Sequence, residues 1–242
     1  LHDTPKLRPV ILGDHHLIEP LARKIGFDVC QDQDEWGKGA RTLDFHNVPA
    51  IGAESLTLGR PSAAGGAATV AYVQKAIELV QAGVGRAIVA CPHAETSVNA
   101  SGRRFSGYPS LLSELLGSGP DSVFLMLVGG GLRVVHVTLH ERVDTALNGL
   151  DAALVERATR EAYKFLRSLG IEKPRIGLFG INPHAGEGGL FGDDDERIVM
   201  PAVNSLRAGG VDVHGPEGAD VMLSRPGYDA FVAMYHDQGH IP

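Results

Sequence analysis

Short apolar runs that end in glycine or polar residues alternate along this chain with longer stretches of helical period, and that alternation leaves few folds open. RPVILGD (8–14) reads as a strand, and HHLIEPLARKIG follows as an amphipathic helix stopped by Gly26. GAATVAYVQKAIELVQA (66–82) is the clearest helix; it ends at Gly83 and leads into RAIVACP (86–92), expected as a buried strand. The spacing predicts further helices over 151–169 and 195–208, a strand over 175–181, and a last strand over 227–237 that runs into a polar terminus. Residues 31–61 show no clear period and are expected as loop and edge-strand material. The fold class expected is α/β, with mixed sheets flanked by helices. Thirty-one glycines and 6% aromatics in 242 residues suit such a chain, with its many tight strand-to-helix turns.

SVFLMLV (122–128) and LRVVHVTLH (132–140) alternate with period two on either side of Gly129, Gly130 and Gly131. Three glycines between two β-rich runs predict a β-hairpin near 122–140, a phosphate cradle being the alternative. There is no internal repeat and no low-complexity linker. Both ends read as cut, since the chain stops at Pro242 directly after HDQGHIP.

A formal charge of -7 gives no basic footprint, so nucleic acid is not expected as a partner. Cys30 and Cys91 lie outside any CxxC spacing and read as reduced thiols. No apolar run reaches the roughly 18 residues of a membrane span, and no signal peptide opens the chain, so a soluble cytoplasmic protein is expected.

Eleven histidines occur, and His15, His16 and His46 sit in polar surroundings where a solvated face is the default. Three others share an address. His140 closes the run LRVVHVTL, His184 lies in the loop INPHAGEGG beyond RIGLFGI, and His236 closes YDAFVAMY. In an open α/β sheet, ligands gather outside the carboxyl ends of strands, so these residues can converge although 44 and 52 positions separate them. Three imidazoles suit a divalent transition metal and leave positions open for a substrate, with Asp237 and Glu187 close by in sequence. The competing reading is that each histidine merely caps its strand. INPHAGEGG has no Walker ending, and no GxGxxG follows a strand, so no nucleotide site can be read from patterns.

NPHAGEGG (182–189) followed by AMYHDQG (233–239) resembles the 4-hydroxythreonine-4-phosphate dehydrogenase family of pyridoxal phosphate synthesis, and the resemblance covers essentially the whole chain. It implies a fold similar to isocitrate and isopropylmalate dehydrogenases and an incomplete catalytic unit over 1–242, in one piece or two lobes. It also implies a homodimer with the site near the interface, NAD as cofactor, and a divalent metal on His140, His184 and His236. The metal expected first is Zn²⁺, with Mn²⁺, Co²⁺, Fe²⁺ or Mg²⁺ as alternatives. Tyr108 and Pro109 stand where the family touches substrate, and Asp237 is the candidate to orient an imidazole or accept a proton.

The departures carry information. The phosphate-using enzymes have Thr-Gly-Pro-x-x-Lys where this chain has Ala90-Cys91-Pro92-His93-Ala94-Glu95, and Gly-His-Thr-Glu where it has Gly107-Tyr108-Pro109-Ser110. Glu95 in place of a lysine disfavours a phosphate. These segments, with His240 after the glycine, look like the branch that oxidises the cis-dihydrodiol of terephthalate with loss of CO₂. The expected substrate is therefore a small carboxylate. Arg103 and Arg104 are read as a solvated loop, with a carboxylate contact as the alternative. A phosphorylated hydroxy acid is the runner-up within the family. A zinc hydrolase using Glu187 or Asp237, or a non-catalytic binding protein on the same fold, are the readings from other classes.

Overall fold

The computed structural model describes residues 7–52, 55–57, 59–119 and 121–242, which divide into two compact units, one ending at Ser106 and the other running from Gly107 to Pro242. The first unit holds a parallel three-stranded sheet in the order β1-β3-β2, made of β1 (Val10–Gly13), β2 (Asp28–Cys30) and β3 (Thr42–Asn47). Helix α1 (His15–Lys24) joins β1 to β2, and Gly26 turns the chain at φ 81°. Buried Asp14, at the end of β1, accepts the backbone N–H groups of Ala50 and Ile51 and the hydroxyl of Tyr72 on α2 (Ala63–Gln81). Burial, and then the bond to Asp14, raise the Tyr72 phenol above its ordinary range.

Two expectations for this unit are corrected. Within 31–61, β3 is the central strand of the sheet rather than edge material. The signal was masked because Asp44, a polar residue in the middle of TLDFHN, is buried and accepts the backbone N–H of Gly37. Ala53, Glu54 and Leu58 of that stretch lie outside the described residues. RAIVACP, expected as a buried strand, pairs with no strand among the described residues, and Val89 is 92% exposed. Apolar composition cannot make a strand without a ladder to satisfy its backbone groups.

Helix α2 begins at Ala63, three residues before the predicted start, behind the N-cap Ser62, whose hydroxyl accepts the N–H of Gly65. It packs on α3 (Glu95–Ala100) through Gly66, where a Cβ would overlap Ser97 O and stand 2.7 Å from Val98 N. The Gly66→Ala variant is therefore expected to lose about 2 kcal/mol of stability, because two backbones must part to admit a methyl group. Urea unfolding measures it; an unchanged midpoint would contradict this packing.

The second unit holds a five-stranded sheet in the order β4-β5-β8-β6-β7. Strands β4 (Met126–Gly129) and β5 (Leu132–His136) form the predicted hairpin, antiparallel, with Gly130 and Gly131 at φ 56° and 84° supplying the left-handed turn. Strands β6 (Arg175–Phe179), β7 (Asp212–Glu217) and β8 (Ala230–Ala233) run parallel to β5, so the sheet is mixed. Strand β5 ends at His136, four residues before the expected end, because its partner β8 stops at Ala233. Only Ala230–Ala233 of the expected last strand 227–237 joins the ladder, and the polar terminus folds as a short helix, α9 (His236–His240).

Period-two alternation sends Val135, Ile176, Leu178 and Val232 to one face of the sheet. There α6 (Ala152–Ser168, capped by Asp151) and α7 (Met200–Ala208) bury Val155, Leu166, Val203 and Leu206 against them. Val134, Phe179 and Phe231 face the other side, with Met222 of α8 (Ala219–Ser224). Helices α4 (Tyr108–Leu116) and α5 (Val143–Gly149) complete the unit. No helix among the described residues is long and apolar enough to cross a membrane.

Candidate active site

The sheet order decides where the site lies. β5, β8 and β6 are consecutive neighbours and parallel, so their carboxyl ends share one edge, about 4.8 Å from strand to strand. His140 follows β5 by four residues, His236 follows β8 by three, and His184 follows β6 by five. The three predicted histidines thus leave one edge from three adjacent strands.

Two of them meet. The rings of His140 and His236 have centroids 5.3 Å apart. Both line a cavity of about 530 Å³ with Leu139, Tyr235 and Asp237. Asp237 Oδ1 lies 2.7 Å from His236 Nδ1. An Nδ1–H donated to that carboxylate leaves the Nε2 lone pair available to an ion. His184 is exposed and its ring neighbours Phe191, with centroids 6.2 Å apart. It makes no ring contact with His140 or His236, and among the described residues no group of three His, Cys, Asp or Glu side chains is close enough to hold an ion. The chemistry of the donors fits a divalent metal; two donors are together, and the third stands on the loop of the adjoining strand.

Three ties that sequence reasoning missed fix this edge. Thr138 Oγ1 donates to Met234 O at 2.9 Å, joining the segment after β5 to the end of β8. Gln238 accepts from Met234 N and donates to Gly180 O, both at 2.7 Å, which joins α9 to the end of β6. Asp195, 1% exposed, accepts Ile181 N at 2.7 Å and Asn182 N at 3.0 Å. The loop it grips is strained: His184, Ala185 and Glu187 all have left-handed φ, 53°, 54° and 43°, at a cost on the order of 1 kcal/mol each. Of the three, only Gln238 had a sequence signal, as the middle of HDQG.

Two further imidazoles complete the cluster. His240 stacks on His236 at 3.7 Å and 14°, with its Nδ1 3.0 Å from His236 O. His136 meets His240 edge-on at 4.6 Å. His136 is fully buried, and neither of its ring nitrogens has a hydrogen-bond partner. Burial first, then the neighbouring His240, depress its pKa to about 4 against an upward pull from the Leu125 backbone, with His236 and His140 adding smaller depressions. It is a neutral imidazole filling space behind α9, where a Cβ on Gly239 would overlap its Nε2.

Tyr108 and Pro109, the expected substrate contacts, open α4 directly after Gly107. A Cβ on Gly107 would stand 3.2 Å from His140 Nδ1, so the start of α4 abuts the histidine pair. Arg142, beside the cavity, is held by Asp144 in a two-pronged ion pair that raises its already high pKa. Glu187 lies exposed on the His184 loop, with no role that the geometry assigns. Glu95 opens α3 in the first unit, and Arg103 and Arg104 also belong to that unit.

Comparison with known proteins names the architecture. The family described as pyridoxal phosphate biosynthetic protein PdxA matches residues 5–242. The chain belongs to the PdxA family. Its relatives there are dehydrogenases with different substrate names. It is 52% identical over 177 residues to a 1,2-dihydroxy-3,5-cyclohexadiene-1,4-dicarboxylate dehydrogenase of Comamonas sp., a match covering 73% of this chain and 56% of that protein. It is 38% identical over 251 residues to a D-threonate 4-phosphate dehydrogenase of Cupriavidus necator, covering 100% of this chain and 74% of that one. Among solved structures it is similar to the terephthalate 1,2-cis-dihydrodiol dehydrogenase of Burkholderia xenovorans (TM-score 0.73, 46% identity, 96% of this chain and 72% of that one). A 4-hydroxythreonine-4-phosphate dehydrogenase of Klebsiella pneumoniae superposes with TM-score 0.84 at 32% identity, over 96% and 72% of the two chains.

Proposed function

We propose that this PdxA-family chain carries the metal-binding part of an NAD-linked dehydrogenase that oxidises a non-phosphorylated cis-diol carboxylate, with loss of CO₂. The observation that supports it most is the placing of His140, His236 and His184 after three adjacent parallel strands. The 52% identity to the Comamonas enzyme supports the diol over the phosphate. Glu95, standing where the phosphate-using enzymes carry a lysine, supports it too. This reading includes a likeness in fold to isocitrate and isopropylmalate dehydrogenases, a homodimer, and Zn²⁺ as the first-choice ion.

His140, His236 and His184 would hold the ion, His184 completing the set from its loop. A divalent ion held by these residues would polarise the substrate hydroxyl and ease the loss of its proton. Asp237 keeps a proton on His236 Nδ1 and so presents Nε2 as the donor. Tyr108 and Pro109, which open α4 directly after the Gly107 that abuts His140, would contact the substrate in this reading. In the overall reaction the carbinol carbon gives a hydride to NAD and its hydroxyl gives a proton, and the oxidised acid then releases CO₂.

The phosphorylated alternative rests on the 38% identity to the threonate-phosphate enzyme over the whole chain. Full-length protein supplied with Zn²⁺ or Mn²⁺ is expected to form NADH from the terephthalate cis-dihydrodiol and not from 4-phosphohydroxythreonine or D-threonate 4-phosphate. NADH from a phosphorylated acid alone would reverse the substrate assignment. Ester hydrolysis with no need for nicotinamide would replace the dehydrogenase by a zinc hydrolase.

A further inference from the structure

Asp195 presents a problem that the reaction does not solve. It is a carboxylate only 1% exposed, with no Lys or Arg paired to it among the described residues. Burying such a group is costly unless its oxygens are well occupied. They are: Oδ1 accepts Ile181 N at 2.7 Å and Oδ2 accepts Asn182 N at 3.0 Å, so consecutive backbone donors at the exit of β6 share one side chain. Asp195 also sits in the first turn of the helical segment Asp195–Val199 that leads into α7, where negative charge is favoured. Next to it, Asp194 accepts Asn182 Nδ2 at 3.0 Å and pairs with Arg197, so Asn182 is gripped through both backbone and side chain.

The chain between these anchors is the loop that bears His184. Pro183 follows Asn182 directly, and His184 and Ala185 then take left-handed conformations that L-residues avoid. Gly180 seals the base of the loop: a Cβ there would lie 2.9 Å from Ala185 Cα and 3.2 Å from Asp195 Oδ1. The loop is thus fixed from beneath by one buried charge, two residues before the histidine.

We infer that Asp195 is a positioning residue for the proposed metal centre: by clamping Ile181 and Asn182 it anchors the base of the strained loop that carries His184, the third donor, at the sheet edge where His140 and His236 lie. This rests on the metal reading proposed above. Asp195 itself touches neither ion nor substrate. An amide in its place turns one acceptor into a donor facing a backbone N–H, with almost no change in shape.

The test is titration of the metal-free full-length protein with Co²⁺, following the visible absorption of the bound ion, for wild type, Asp195→Asn and His184→Ala. Asp195→Asn is expected to bind Co²⁺ 10- to 100-fold more weakly, with an altered band, while circular dichroism shows it folded. His184→Ala is expected to lose more. Gly180→Ala reaches the same loop by displacing it rather than by removing charge, and it decides the matter if Asp195→Asn does not fold. Weakening in His184→Ala with wild-type affinity and spectrum in the folded positioning variants overturns the role of Asp195 alone. Wild-type binding by His184→Ala overturns the metal reading, and this inference with it.

Discussion

Exchanging His236 for alanine is expected to lower NADH formation by about a thousandfold, about 4 kcal/mol in the barrier, by removing a donor of the proposed metal centre. His236 is the best-supported imidazole of the site. Asp237 holds its Nδ1 at 2.7 Å, His240 covers its face at 3.7 Å, and His140 stands 5.3 Å away. Asp237→Asn leaves a hydrogen-bonding side chain beside the ring and is expected to cost only about 10- to 100-fold. Steady-state NADH production at saturating metal measures both. Equal losses in the two variants would mean that the carboxylate acts directly on the substrate rather than through the imidazole.

The second large effect is on stability. His136 is depressed from an ordinary 6.5 to about 4. Between those values the unfolded chain binds a proton that the folded chain refuses, so stability rises with pH across this window. The contribution of His136 is complete above about pH 6.5, falls as acid is added, and is exhausted near pH 4; the full span is about 3 kcal/mol. His136→Leu removes that slope. It also removes two buried nitrogens that have no partner, so the variant is expected to be more stable than wild type by about 1 kcal/mol at pH 7. Urea unfolding of metal-free wild type and variant at pH 7.5, 6 and 5 isolates the His136 contribution as a difference. Parallel pH profiles would show that the His136 ring reaches a proton in the folded state.

Much of the second unit could be read from the residues. Strict alternation around three glycines announces the hairpin, Asp151 caps the helix that follows, and RIGLF enters the sheet where its apolar run lies. The histidine edge was legible for the same reason, since a parallel sheet delivers the ends of its strands together. What could not be read was anything carried by tertiary bonding. Asp44 is polar in a central strand, and only its bond to Gly37 N makes its burial intelligible. RAIVACP has the composition of a strand and no ladder partner among the described residues. Thr138, Gln238 and Asp195 are ordinary polar letters until neighbouring strands bring Met234, Gly180 and Ile181 to them. His136 belongs to the same group, because neither its burial nor its unpartnered nitrogens follow from LRVVH.

We propose that the oxidation requires an ion held by three imidazoles that follow three adjacent strands, a requirement open to test by chelation. Its most direct test is NADH formation from the terephthalate cis-dihydrodiol by full-length protein stripped with a chelator and then resupplied with Zn²⁺ or Mn²⁺, alongside His184→Ala. No turnover is expected after stripping, with recovery in the wild type on adding metal and no recovery in the variant. Turnover that survives complete removal of metal, or recovery in His184→Ala equal to wild type, would contradict it.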